Sequence, residues 1–108
     1  MAIYEVDDNN FKEVLEREFN TDNIVILKFG SEFCEPCYAL ESELEELDEM
    51  SDNISILSLD CVQAPDIAEE YDIFQFPTMI IYKSKDNIIY KCENVVLADD
   101  IQKIINES

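Results

Sequence analysis

The sequence predicts a mixed α/β sheet covered by helices on both faces, and three features carry that expectation. Short β-branched runs alternate with stretches in which apolar residues recur at helical spacing. The alternation reads β-α-β-α-β-α up to Tyr71, an order that favours parallel strands joined by helical crossovers. Two further strands then follow with only Ser84-Lys85-Asp86-Asn87 between them, a hairpin, before a last helix. The 108 residues make one domain, 1–108, large enough to bury roughly two-thirds of the surface of the extended chain.

Each element has its own reason. Ile3-Tyr4-Glu5-Val6 alternates as a short first strand. Asp7-Asp8-Asn9-Asn10 offers caps, after which Phe11, Val14, Leu15 and Phe19 follow a helical stripe. Ile24–Phe29 is a short apolar run bounded by polar residues, as in a strand buried on both faces. From Cys37 the pattern turns helical to about Met50, with Cys37, Leu40, Leu44 and Leu47 inward and Glu41, Glu45, Glu46, Asp48 and Glu49 solvated. Ile54–Asp60 reads as the third strand. Pro65 opens a short helix with Ile67, Ala68 and Tyr71 inward. Thr78–Lys83 and Ile88–Cys92 form the hairpin strands, and Asp99-Asp100 caps a final helix with Leu97, Ile101, Ile104 and Ile105 inward.

The chemistry gathers where the second strand ends, at Lys28-Phe29-Gly30-Ser31-Glu32-Phe33-Cys34-Glu35-Pro36-Cys37. Two thiols spaced C-x-x-C at a helix N-terminus can close a small disulfide. The first also faces unpaired N–H groups and the positive end of the helix dipole, which favour a thiolate. Spacing alone leaves three readings: a redox pair, half of a zinc site, or coincidence. A structural zinc site needs four ligands. The chain has no histidine, and Cys61 and Cys92 stand alone, so no metal is expected.

Phe33-Cys34-Glu35-Pro36-Cys37 resembles the aromatic-C-x-P-C active site of the thioredoxin family. Tyr71-Asp72-Ile73-Phe74-Gln75-Phe76-Pro77-Thr78 is similar to that family's segment ending in cis-proline and threonine. The resemblance runs from about Phe11 to Ile105. It implies a thioredoxin fold, a mixed five-stranded sheet flanked by four helices in the order β-α-β-α-β-α-β-β-α. It implies that Cys34 attacks substrate disulfides and Cys37 resolves the mixed disulfide, with a redox-active Cys34–Cys37 disulfide and no cofactor. Pro77 would be cis beside the dithiol, and Phe33, Glu35, Pro36, Phe76 and Pro77 would form the substrate surface.

Departures from the family pattern shape further expectations. Glu35 stands where glycine is usual, with Glu32 just upstream. A carboxylate ~8 Å from a thiolate, at an effective dielectric of ~40, opposes ionisation by ~1 kcal/mol, against roughly 0.3–1 kcal/mol in favour from the helix end. Cys34 is thus expected to be less acidic than in typical members. Lys28 replaces a buried aspartate whose companion lysine aligns with Ser58. It either favours the Cys37 thiolate, as a charge or a desolvated base, or packs its stem and snorkels to a carboxylate. Gly30 and Phe33 replace two tryptophans, which bears on recognition by a reductase. Cys61 and Cys92 could pair, take glutathione or trap a partner, or simply fill small apolar sites.

Net charge is −19, which argues against nucleic acid and anionic membranes and leaves two readings: attraction to basic partners, or an acidic surface that serves solubility alone. No apolar run approaches the ~20 residues of a membrane span and no signal stretch precedes the domain, so a cytoplasmic monomer is expected. The leading reading is a protein disulfide reductase in cell redox homeostasis, acting on disulfide-containing proteins and recharged by an unidentified reductase. A glutaredoxin would want basic residues near Cys34, and the cations do not cluster there. The alternative is a non-catalytic adaptor of the same fold that binds a basic partner through its acidic surface.

Overall fold

The computed structural model describes residues 3–108. The elements, in chain order, are β1 (Ile3–Val6), α1 (Phe11–Phe19), β2 (Ile24–Gly30), α2 (Glu35–Met50), β3 (Ile54–Asp60), α3 (Pro65–Glu70), β4 (Thr78–Ser84), β5 (Asn87–Cys92) and α4 (Ala98–Asn106). They form a five-stranded sheet in the order β1-β3-β2-β4-β5. The first three are parallel, and β4 and β5 are antiparallel to their neighbours. The expected order and fold class are those observed.

β2 explains the layering. Every residue from Ile24 to Gly30 is buried, because the strand is paired on both edges and covered on both faces. Side chains alternate across it. Val25, Leu27 and Phe29 enter a core with Phe11, Val14, Ile67 and Ala68 of α1 and α3. Ile24 and Ile26 enter a second core with Leu40, Leu44 and Leu47 of α2 and Ala98 and Ile101 of α4. Each such fully buried aliphatic side chain contributes about 1.5–3 kcal/mol of transfer free energy. Lys28 and Gly30 continue the α2 side of the strand, where the apolar pattern stops.

One buried polar group ties α1 to the sheet. The Glu18 carboxylate accepts from Arg17 Nε at 2.9 Å and from Ser55 Oγ at 2.7 Å. Asn23 Nδ2 in turn donates to Ser55 Oγ at 3.0 Å. Arg17 also lies over the Tyr4 ring, 5.1 Å from its centroid.

Two ends differ from the sequence reading. Leu97, expected inward, is exposed, because it is the N-cap residue of α4 rather than part of its inner stripe. Asp99 and Asp100 lie in the first helical turn, where they complement the dipole instead of capping by a side-chain bond. The hairpin is tighter than expected, since Ser84 pairs with Asn87 and only Lys85-Asp86 turns. Neither turn residue has positive φ, and register shifts at Ile81/Tyr82 and Tyr82/Ser84 accompany this arrangement in the ladder.

Candidate active site

Three chain segments meet at the C-terminal end of β2. Gly30 pairs with Asp60 at the end of β3, and Cys61 N–H donates to Gly30 O at 2.8 Å. On the other edge Phe29 pairs with Thr78, so the register brings Pro77 alongside the level of Gly30. From Gly30 the chain turns directly into α2. Ser31 organises that turn: its hydroxyl accepts from Phe33 N–H at 3.2 Å and its carbonyl from Cys34 N–H at 3.3 Å. Tyr38 Oη donates to Glu32 O at 2.7 Å and pins the turn to the helix.

Cys34 is the N-cap residue of α2, with extended backbone, and Pro36 sits in the first turn, where its missing N–H would have had no partner. Cys37 N–H donates to Cys34 Sγ at 3.2 Å, so the free end of the helix is directed at the first sulfur. Cys34 and Cys37 are joined in a disulfide, with Cα atoms 5.3 Å apart. Cys34 is partly exposed, whereas Cys37 is 1% exposed beneath the helix. One sulfur therefore faces solvent and the other is enclosed.

The expected substrate surface is split by depth. Glu35 and Pro36 are exposed, and Phe33 is 85% exposed. The Phe76–Pro77 bond is cis, with the Phe76 residue exposed and Pro77 buried. Phe74, which sequence reasoning passed over, is also 85% exposed. Its signal was available: an aromatic two residues before the Phe76-Pro77 pair, outside any apolar periodicity. Asp72 was missed as well. It adopts φ 56° just past α3, where Ile73 N–H bonds Ala68 O and Asp72 N–H bonds Glu69 O. This paired helix end is normally made by glycine, and it launches the Phe74–Pro77 loop.

Lys28 lies behind the dithiol, 6% exposed, between Ser58 of β3 and Met79 of β4. A cavity of about 170 Å³ opens there, lined by Lys28, Gly30 and Ser58 together with Glu5, Glu32, Glu41 and Asp60. Lys28 forms no ion pair within 4.0 Å among the described residues, so of the two readings offered for it the one that pairs its ammonium with a carboxylate finds no partner. No group of residues suited to holding a metal ion occurs among the described residues.

Cys61 and Cys92 are free. They cannot bond each other in this fold. Cys92 is on β5, Cys61 follows β3, and β2 and β4 lie between, a span of roughly 14 Å against the ~7 Å limit for a disulfide. Burial and the neighbouring Asp60 push the Cys61 thiol up to about 11, although the Gly30 amide and Lys28 pull it down. Burial also raises the Cys92 thiol, against a bond to Asn94.

A partly exposed sulfur at a helix cap, bonded to an enclosed one a turn later, is an arrangement suited to dithiol–disulfide exchange. The thioredoxin family model matches residues 2–107, and the chain belongs to the thioredoxin family. It is 33% identical over 105 residues to a thioredoxin of Rickettsia felis, covering 93% of this chain and 96% of that one. It is 32% identical over 109 residues to the chloroplastic M-type thioredoxin of Spinacia oleracea, covering 96% of this chain but spanning only 58% of that protein. The crystal structure of chloroplastic thioredoxin z superposes with a TM-score of 0.84 at 22% identity, over 99% of this chain and 94% of that one, a likeness of fold. Family and site together support thiol–disulfide oxidoreductase chemistry in general. No helix among the described residues is long and apolar enough to cross a membrane.

Proposed function

We propose that this protein is a protein disulfide reductase, in which Cys34 is the attacking thiol and Cys37 the resolving one. The observation that carries the reading is the difference in depth between two bonded sulfurs, with the helix N-terminus directed at the outer one. The Cys34 thiolate attacks a substrate disulfide R–S–S–R′, forming Cys34–S–S–R and releasing R′S⁻. The Cys37 thiolate then attacks Cys34 Sγ, expelling RS⁻ and closing the Cys34–Cys37 disulfide. Two electrons pass from the dithiol to the substrate, and an external dithiol or reductase returns them.

Substrates of this kind are disulfide-bearing proteins that meet the exposed Phe33, Phe74 and Phe76, with Glu35 and Pro36 beside the sulfur. The backbone of Phe76, immediately before Pro77, is where a substrate strand would align. A reducing compartment such as the cytoplasm suits a site of this type.

Insulin reduction in the presence of dithiothreitol tests the proposal. The wild-type chain accelerates precipitation of the insulin B chain, Cys34→Ser abolishes the acceleration, and Cys37→Ser accumulates mixed disulfides on Cys34. Activity unchanged in Cys34→Ser would leave the fold as a non-catalytic adaptor for basic partners.

A further inference from the structure

The enclosed sulfur has a physical difficulty that the outer one does not. To attack, Cys37 must become a thiolate, and at 1% exposure that anion is largely stripped of water. The helix-end N–H that bonds a sulfur, that of Cys37, is donated to Cys34 Sγ and not to Cys37 itself. A positive group beside the enclosed sulfur would offset the cost of its ionisation.

Gly30 has no side chain, and three atoms crowd the point where a Cβ would stand: Cys37 Sγ at 3.1 Å, Cys37 Cβ at 3.2 Å and Lys28 Cε at 3.3 Å. The last methylene of Lys28 and the resolving sulfur are therefore neighbours across one glycine. The remaining charged or titratable groups lining the cavity are Glu5, Glu32, Tyr38, Glu41 and Asp60, none of them a cation. Lys28 forms no hydrogen bond or ion pair with them, yet no buried polar side-chain atom is left unsatisfied among the described residues, so its ammonium is not sealed off from the cavity. Its field reaches sulfur in this region, since Lys28 also draws down the thiol of Cys61 on the far side of Gly30.

We propose that Lys28 is a positioning residue whose ammonium is the counter-charge of the Cys37 thiolate during resolution. The inference rests on the reductase reading above. The Cys37 thiol gives its proton to cavity water, from which the carboxylates lining the cavity pass it to solvent. The thiolate, held beside the ammonium, displaces RS⁻ from Cys34 Sγ, and RS⁻ takes up a proton outside. Lys28 itself is neither oxidised nor deprotonated.

The two steps separate in a single-turnover reaction of the reduced protein with 5,5′-dithiobis(2-nitrobenzoate), in a Cys92→Ser background. Attack by Cys34 releases one coloured thiolate and resolution by Cys37 releases the second. Lys28→Met is expected to slow the second release about tenfold or more and to move its pH midpoint upward by about one unit, leaving the first release within about threefold. Lys28→Arg should restore most of the rate, since it restores the charge. Lys28 forms no ion pair among the described residues, so its removal leaves no partner charge uncompensated, and Lys28→Gln gives an independent neutral variant. A second release within about twofold of wild type in Met and Gln variants whose first release is intact would overturn the proposal. No first release from the unaltered chain would instead overturn the reductase reading and the proposal with it.

Discussion

Cys37 Sγ lies 3.1 Å, and Cys37 Cβ 3.2 Å, from the point that a Cβ on Gly30 would occupy. The contact is tighter than ordinary van der Waals packing. Cys37 cannot give way, being fixed by the first turn of α2 and by its bond to Cys34, whereas the end of the flexible Lys28 side chain, 3.3 Å from the same point, can. Gly30 is the chain's one glycine, and close approach rather than backbone freedom accounts for it, since its φ is not positive. Gly30→Ala adds overpacking of about 1–3 kcal/mol, offset by up to ~1 kcal/mol from a less flexible unfolded chain. The expected outcome is a net loss of about 1 kcal/mol in urea denaturation of the oxidised protein. A more stable variant would contradict the packing.

Glu18 supplies a pH-dependent part of the stability. Burial alone would raise its carboxyl, but the bonds from Arg17 and Ser55 outweigh that and hold it below its usual range. A carboxyl lowered on folding stabilises the native state above its unfolded value, and that contribution is lost as pH falls through the lower, folded value. Glu18→Gln should therefore be less stable than wild type at neutral pH, with the gap closing in acid below the usual carboxylate range. Breaking a buried bond of this kind costs about 1–3 kcal/mol. Chemical denaturation at neutral and acidic pH reads the difference directly.

The left-handed residue after α3 gives a clean pair of substitutions. Asp72 tolerates φ 56° better than most residues, but glycine tolerates it without penalty. Asp72→Gly is expected to change stability by less than about 1 kcal/mol, while Asp72→Val, β-branched in a left-handed position, should cost more than 1 kcal/mol. Thermal melts of the two variants decide it, and equal melting temperatures would remove the argument.

The cysteines should separate by reactivity in the reduced protein. Cys34 is partly exposed at a helix cap, and alkylation is expected there first. Cys61 is enclosed and its thiol is raised to about 11, so only about one in a thousand is ionised at pH 8. Mass spectrometry after a short pulse of iodoacetamide at pH 8 should find Cys34 modified and Cys61 untouched. Early labelling of Cys61 would show that its shelter opens.

Charge should tell in the kinetics. The segments meeting at the dithiol carry Glu32, Glu35, Asp60 and Asp72, with no lysine or arginine between Gly30 and Cys37 or between Asp72 and Pro77, on a chain of net charge −19. A disulfide peptide flanked by lysines is expected to be reduced several-fold faster than one flanked by glutamates at low salt, with the gap narrowing as ions screen beyond about 10 Å. Equal rates at low ionic strength would show that contact, not field, sets the preference.

Much of this was legible from the residues because buried strands and amphipathic helices write themselves in different periods. The β2 run and the Leu40–Leu44–Leu47 stripe are cases in which local pattern and tertiary burial agree. Cys34 and Cys37 were legible too, since a thiol pair at a strand-to-helix junction has few structural uses. Leu97 misled because an apolar residue at a helix boundary fits the inner stripe by spacing, yet the cap turns it outward. The meeting of Lys28 with Cys37 through Gly30 was only half visible. Sequence places Lys28 near the site, but the missing side chain between them becomes meaningful only once α2 lies across β2. Asp72 was hidden for a similar reason, as a left-handed residue other than glycine leaves no compositional mark.

β2 is the central strand of its sheet, flanked by β3 and β4, and the dithiol is mounted at its end. Its amides are expected to reach deuterated solvent only when the whole molecule opens, and to be the slowest-exchanging of the fold. The sulfurs thus stand on the most deeply anchored strand, with only the short turn from Ser31 to Cys34 between that platform and the helix.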